Sequence, residues 1–288
     1  MSSIEKTLDA PMGAVVETPR RSRSRLALDL AAIRVLALRD VKRFFRQRSR
    51  VVGALAQPIL FWLLIGSGFE QSFRIAGAEG IGYKQYFFPG VVVLVVLFTA
   101  IFTTMSVIED RHEGFLQAVL VAPSSRAALV LGKTLGGVAI ALIQASLVMV
   151  LAPLAGFSLG TIDWPLAAAM LLFTAIGLAS LGFALAWWID STQGYHAIMF
   201  VLLLPLWILS GAMFPSSGAV PWLSAAMPWN PMAYCVAGVR RALHGGHLLD
   251  PVGVAGSTAI RELVVVIGFA VVATALATWV VSRPGRAK

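Results

Sequence analysis

Charge is scarce in this chain. Asp, Glu, Lys and Arg make up only 13% of its 288 residues and hydrophobic residues 58%, against roughly 25% charged and 45–50% apolar in an ordinary soluble domain. A surface so poor in charge is solvated mainly by lipid. The apolar residues fall in blocks too long for core helices, so one integral membrane domain is the simplest organisation. Cysteine is nearly absent as well: the lone Cys235 excludes an intramolecular disulfide framework and a cysteine-rich metal site. Asp and Glu are missing from the middle of every apolar block, so proton-coupled transport and intramembrane hydrolysis lose their usual carriers. No Gly-x-Ser-x-Gly elbow supplies a nucleophile.

What charge there is lies unevenly. The formal net charge of +9 would suit a nucleic-acid binder, but eleven of the 23 Lys and Arg residues sit between Arg20 and Arg50, directly before an apolar block. That placement fits an anionic membrane leaflet better than a phosphate backbone, so no nucleic-acid partner is expected. Residues 1–25, with Pro11, Pro19 and the Arg20–Arg25 run, read as a disordered basic tail. Over 26–50, Ile33, Ala37, Val41 and Phe44 fall on one helical face and Arg39, Lys42, Arg43, Arg46 and Arg50 on the other. This predicts an amphipathic helix in the membrane interface with lipid as a partner; a solvated basic helix is the plainer alternative. The first apolar block starts at Val51, too late for a secretory h-region, so it is expected to stay in the mature chain.

Six segments come close to the ~20 residues that cross a hydrocarbon layer: Val51–Phe69, Phe87–Ile108, Leu129–Leu151, Leu166–Ile189, Tyr195–Phe214 and Leu263–Ser282. They predict an all-α membrane protein with six transmembrane helices over 51–282 and a short tail over 283–288. Lys133 is the full charge inside a span, near enough to its end to snorkel. With the N-terminus inside, eighteen Lys and Arg residues face the cytoplasm and five the exterior, which predicts both termini cytoplasmic. Residues 215–262 carry Trp222, Leu223, Met227, Trp229 and Val236, interrupted by Pro221, Pro228 and Pro231. A re-entrant helical hairpin between spans five and six would bury those aromatics; a cap lying flat on the membrane is the alternative.

Gly132-Lys133-Thr134 resembles the end of a phosphate-binding loop, but the first glycine of that motif falls on Ala127 and no strand precedes it. The Gly132/Gly136 spacing reads instead as a notch for helix packing. His112-Glu113 lacks the second histidine of a zinc-protease helix, since residue 116 is Leu. His244, His247 and Asp250 could hold a metal, although such a trio is more often polar surface. No catalytic, cofactor or metal site is therefore expected. Gln57 and Gln144 are the polar side chains set deepest in the spans, candidates for lining a pathway or for interhelical hydrogen bonding.

The connection after the second span is more informative. Glu109, Asp110, Arg111, His112, Glu113, Gly114, Phe115, Leu116 and Gln117 can form a short helix with a charged beginning and an apolar side of Phe115, Leu116 and Val119, stopped by Pro123. Such an element can dock in a cleft on a soluble partner; a charged surface turn is the common alternative.

Taken together, Arg39-Asp40-Val41-Lys42-Arg43, Gln57-Pro58, Glu113-Gly114-Phe115 through Pro123-Ser124-Ser125-Arg126 to Gly132-Lys133, Leu209-Ser210-Gly211-Ala212-Met213-Phe214-Pro215 and Pro228-Trp229-Asn230-Pro231 resemble the permease subunits of ABC type-2 exporters. The resemblance covers residues 30–282. It implies a bacterial inner-membrane permease without enzymatic activity, paired with a second permease, a homodimer being the expectation, and with two copies of a cognate ATPase that binds ATP and Mg. It makes residues 109–117 a coupling helix seated in that ATPase and Arg39, Lys42, Arg43 and Arg46 a second contact, with ATPase or lipid. Its substrates would be drugs, lipids or glycans; drug or lipid is favoured here because the spans lack a dense aromatic lining. The rival reading is a membrane scaffold with no transport activity, since a secondary transporter would normally show ion-coupling residues or an internal repeat.

Overall fold

The computed structural model describes residues 24–72, 80–246, 254 and 256–283. The basic tail, His247, Asp250 and the tail beyond Arg283 lie outside the described residues, as does the side chain of Arg50.

Every regular element in the described residues is helical. The first, α1 (Arg25–Arg46), is capped by the Ser24 hydroxyl and breaks at Gln47, where α2 (Arg48–Phe69) begins. The helix expected over 26–50 is thus interrupted at Gln47, and Arg48–Arg50 form the first turn of α2 ahead of the apolar stretch from Val51. Next come α3 (Tyr83–Thr103), α4 (Ser106–His112), α5 (Phe115–Leu120), α6 (Arg126–Met149) and α7 (Trp164–Trp188). The chain ends with α8 (Thr192–Ile208), α9 (Pro221–Ala226), α10 (Pro231–Leu243) and α11 (Ala259–Ser282). The starts follow side-chain chemistry: Ser125, Asp163, Ser191, Asn230 and Thr258 each accept a backbone N–H in the first turn of α6, α7, α8, α10 and α11.

Five stretches are long and apolar enough to cross a bilayer: residues 51–69, the 83–112 rod through α3 and α4, α6, α7 and α11. The chain is an all-α, multi-span membrane protein. α8 is apolar but has only 17 residues. The expected fifth span, Tyr195–Phe214, is helical only to Ile208, because the chain turns at Ser210 and at Gly211, whose φ of +75° leaves the helical region.

The core is built around α3, in which every residue from Tyr86 through Leu97 is buried. Its Val91–Val96 run is apolar on all faces, and α2, α6, α7, α8 and α10 pack around it. α1 lies against α6 at the predicted small-residue notch. A Cβ on Gly132 would stand 2.9 Å from Cβ of Leu36, and one on Gly136 3.2 Å from Cβ of Asp40. The two backbones approach so closely only because side chains are missing there.

In the region predicted as a hairpin, burial within the protein is uneven. It is α10 that is buried, from Met232 to Leu243, against α3, α7 and α11. Trp222 and Trp229 stay 71% and 90% exposed. Small residues help α10 pack closely: a Cβ on Gly238 would stand 2.6 Å from the Met170 side chain of α7.

Candidate functional site

Two features stand out at the end of the bundle that carries α4 and α5. The first is a charge network around α4. This helix of 7 residues is less than two turns long, so its consecutive side chains point all round it. Asp110, fully buried, accepts a forked pair of hydrogen bonds from Arg39 at 2.7 and 2.8 Å and a direct ionic contact from Lys133 of α6. Lys133 also reaches Asp40 at 3.0 Å and donates to the Ser106 hydroxyl at 3.3 Å. Arg43 bridges Glu109 at 3.0 Å and Glu113 at 3.4 Å. The Arg39 guanidinium lies 3.8 Å from the centre of the Phe115 ring. In these contacts Arg39, Arg43 and Lys133 meet Asp40, Glu109, Asp110 and Glu113, so no buried charge in the network lacks an opposite partner. The hydrogen bonds that Arg39 donates to Asp110 hold its guanidinium above the usual range, while burial raises the Asp40 carboxyl despite Lys133 beside it.

Arg111 and His112 point the other way. Arg111 pairs with Asp190, between α7 and α8, at 2.6 Å and donates to the Trp187 carbonyl at 2.8 Å. Nε2 of His112 lies 2.8 Å from the Asp190 carbonyl. Gly114 then sits at φ +74°, a left-handed bend that residues with a side chain rarely adopt. It divides the connection predicted as one helix into α4 and α5. On the far side of this junction His112, Glu113, Gln117, Ala118 and Val121 are exposed, Val121 to 86%.

The second feature is a cavity of about 440 Å³ between α1, α2, α3 and α8. Phe44, Phe61, Phe98, Phe102, Phe200 and Trp207 line it, together with Gln57, Thr99, Thr103 and His196. Phe98, Phe102 and Phe200 form a mutual cluster with ring centres 5.5 to 5.8 Å apart, and the His196 ring lies 4.9 Å from Phe102. No carboxylate lines this space among the described residues.

Residues 31–244 match the model of the ABC-2 type transporter family. The chain belongs to that family. A putative transport permease, ycf38, of Cyanophora paradoxa is 30% identical over 207 residues, 69% of this chain and 71% of that protein. The daunorubicin resistance ABC transporter permease protein DrrB1 of Streptomyces coeruleorubidus is 24% identical over 68% of this chain and 69% of its own. Nodulation protein J of a Sinorhizobium fredii strain is 26% identical over 67% and 73%.

In this ABC-2 permease several sequence-predicted residues take other places than expected. Lys133 does not snorkel: its side chain is 1% exposed, held between two carboxylates. The basic face of α1 is split, since Arg39 and Arg43 turn toward α4 while Lys42 and Arg46 remain exposed. The buried stripe is Leu36, Asp40 and Phe44, at helical spacing, and an acid inside such a stripe was the available signal. Gln57 lines the cavity; Gln144 stands behind it, its amide oxygen accepting from Thr99, which does line it. An aromatic lining does exist, assembled from α1, α2, α3 and α8 and so invisible in any one of them.

Proposed function

We propose that this chain is the transmembrane subunit of an ATP-driven exporter, moving an amphipathic substrate outward with energy from a separate ATPase. The carrying observation is the two-sided build of the α4–α5 junction. Its back is tied to α1, α6 and the α7–α8 connection, and its front presents Glu113, Gln117, Ala118 and Val121 to solvent. An element held on one side and bare on the other can take a push from a docked protein and pass it on.

In this reading residues 109–117 seat in the ATPase, and the exposed Lys42 and Arg46 meet ATPase or anionic lipid. The working unit has two permeases and two ATPases that bind ATP and Mg, in a bacterial cytoplasmic membrane. Both termini and the α4 end are cytoplasmic, α8 completes six spans, and α9–α10 form a re-entrant hairpin from the opposite side. The cavity beside Gln57 lies on the substrate path, with Gln144 supporting it through Thr99. The aromatic side chains in the cavity remove the sequence-based argument against a glycan; its mainly apolar, carboxylate-free lining instead suits an amphipathic drug-sized or lipid substrate, and the likeness to a daunorubicin resistance permease supports the same class.

Co-purification with an ATPase carrying a Walker A motif tests the reading. Glu113→Ala and Phe115→Ala should each weaken that association about tenfold while the chain still inserts in the membrane. Unchanged association and transport in both variants would reject the assignment.

A further inference from the structure

We propose that Arg111 and Asp190 form a latch that positions the α4-end of α8 and thereby regulates the cavity wall; the inference rests on α4–α5 being the ATPase-facing element. α8 is the most sparsely packed wall of the cavity. Its buried residues, Tyr195, Met199, Leu203 and Trp207, form a single narrow stripe, while Ile198, Phe200 and Val201 are exposed. At its α4 end α8 has two moorings. One is buried: the Tyr195 hydroxyl bonds Thr104 at 2.8 Å and the Ile101 carbonyl at 3.1 Å, where α3 gives way to α4. The other is the Arg111–Asp190 pair at 2.6 Å, backed by His112 on the Asp190 carbonyl at 2.8 Å.

The path from latch to cavity is short. Only Ile189, Asp190 and Ser191 separate α7 from α8, and Ser191 caps α8 by accepting from the Gly194 N–H at 3.2 Å. Fixing Asp190 therefore fixes the first turn of α8, and His196 and Phe200 follow it into the cavity wall. The exposures of the two charges suit a contact that opens and closes. Asp110, one residue earlier than Arg111, is fully buried and held by three cations, a permanent joint. Asp190 is 86% exposed, where solvent and salt screen a pair and keep its strength small. A shift of α4 imposed from outside carries α1 and α6 with it and releases or re-forms the contact with the α7–α8 connection.

Asp190→Ala tests this without threatening the fold, because the side chain is on the surface. In the full chain in lipid nanodiscs, amide hydrogen exchange across residues 192–200 should rise about five-fold, the scale of one exposed ion pair, and Asp190→Glu should restore it. With the ATPase bound, Asp190→Ala should lower transport per ATP hydrolysed while hydrolysis itself continues, and Asp190→Glu should recover the ratio. Unchanged exchange, or raised exchange with an unchanged ratio, overturns the latch. If the unsubstituted chain binds no ATPase, the exporter reading falls, and the latch with it.

Discussion

The permease buries charge at both ends of its bundle, in two different designs. At the α10 end, Arg241 forks onto Glu262 at 2.9 and 3.0 Å, and Ser257 completes the site with its carbonyl on Arg241 and its hydroxyl on Glu262. That is one cation and one carboxylate joining α10 to α11, beside a second buried cation, Arg240, which bonds the Gly211 carbonyl at 3.1 Å and lies over the Tyr86 ring. At the α4 end, on the order of 35 Å away along α3 and α4, Lys133, Arg39 and Arg43 share the carboxylates of Asp40, Glu109, Asp110 and Glu113. A closed pair fixes one geometry. A shared network can lose or exchange a contact without leaving any charge alone in a medium where that is costly. The end read here as receiving the ATPase has the redundant design, and the end that only needs to hold α10 in the bundle has the exclusive one.

The comparison breaks most sharply at Glu262. Glu262→Ala leaves Arg241 with no other carboxylate among the described residues and should destabilise the protein by about 3–5 kcal/mol, read as a fall in the denaturation midpoint in detergent. Arg241→Met combined with Glu262→Leu should recover most of that loss, since neither charge is then stranded. A single-substitution loss no larger than that of any α4-end variant would remove the contrast between the two designs.

Lys133→Ala probes the network at its best-buried cation. Asp110 keeps Arg39, and Asp40 keeps only a 3.8 Å approach from the same residue, so the expected cost is smaller, about 1.5–3 kcal/mol, in the same denaturation measurement. Lys133 also marks the limit of the sequence. The spans at Val51, Leu129, Leu166 and Leu263 could be read from apolar run length alone, because lipid solvation acts on each helix by itself. The Gly132/Gly136 notch was readable for the same reason. The partners of Lys133 were not: Asp40 and Asp110 lie 93 and 23 residues away, and only the docking of α1 on α6 brings them together. Snorkelling is the right expectation for a lysine whose neighbours are unknown. The cavity was hidden likewise, since Phe44, Phe61, Phe98 and Phe200 each look like ordinary apolar positions until four helices converge.

At the rim of the network the two designs should become indistinguishable. Arg43 is 30% exposed and touches Glu109, Asp110 and Glu113: Asp110 retains Arg39 and Lys133, Glu113 is 56% exposed and solvated by itself, and Glu109, 26% exposed, still reaches solvent when Arg43 is removed. Arg43→Ala should therefore cost no more than about 0.2–1 kcal/mol, less still in high salt, which screens an exposed pair but not a buried one. A loss as large as that of Lys133→Ala would mean that Arg43 orients α4 rather than merely neutralising it. The boundary of the rigid joint would then extend to Glu113, onto the surface assigned to the ATPase, and the back and front of the α4–α5 junction could no longer be treated as separate.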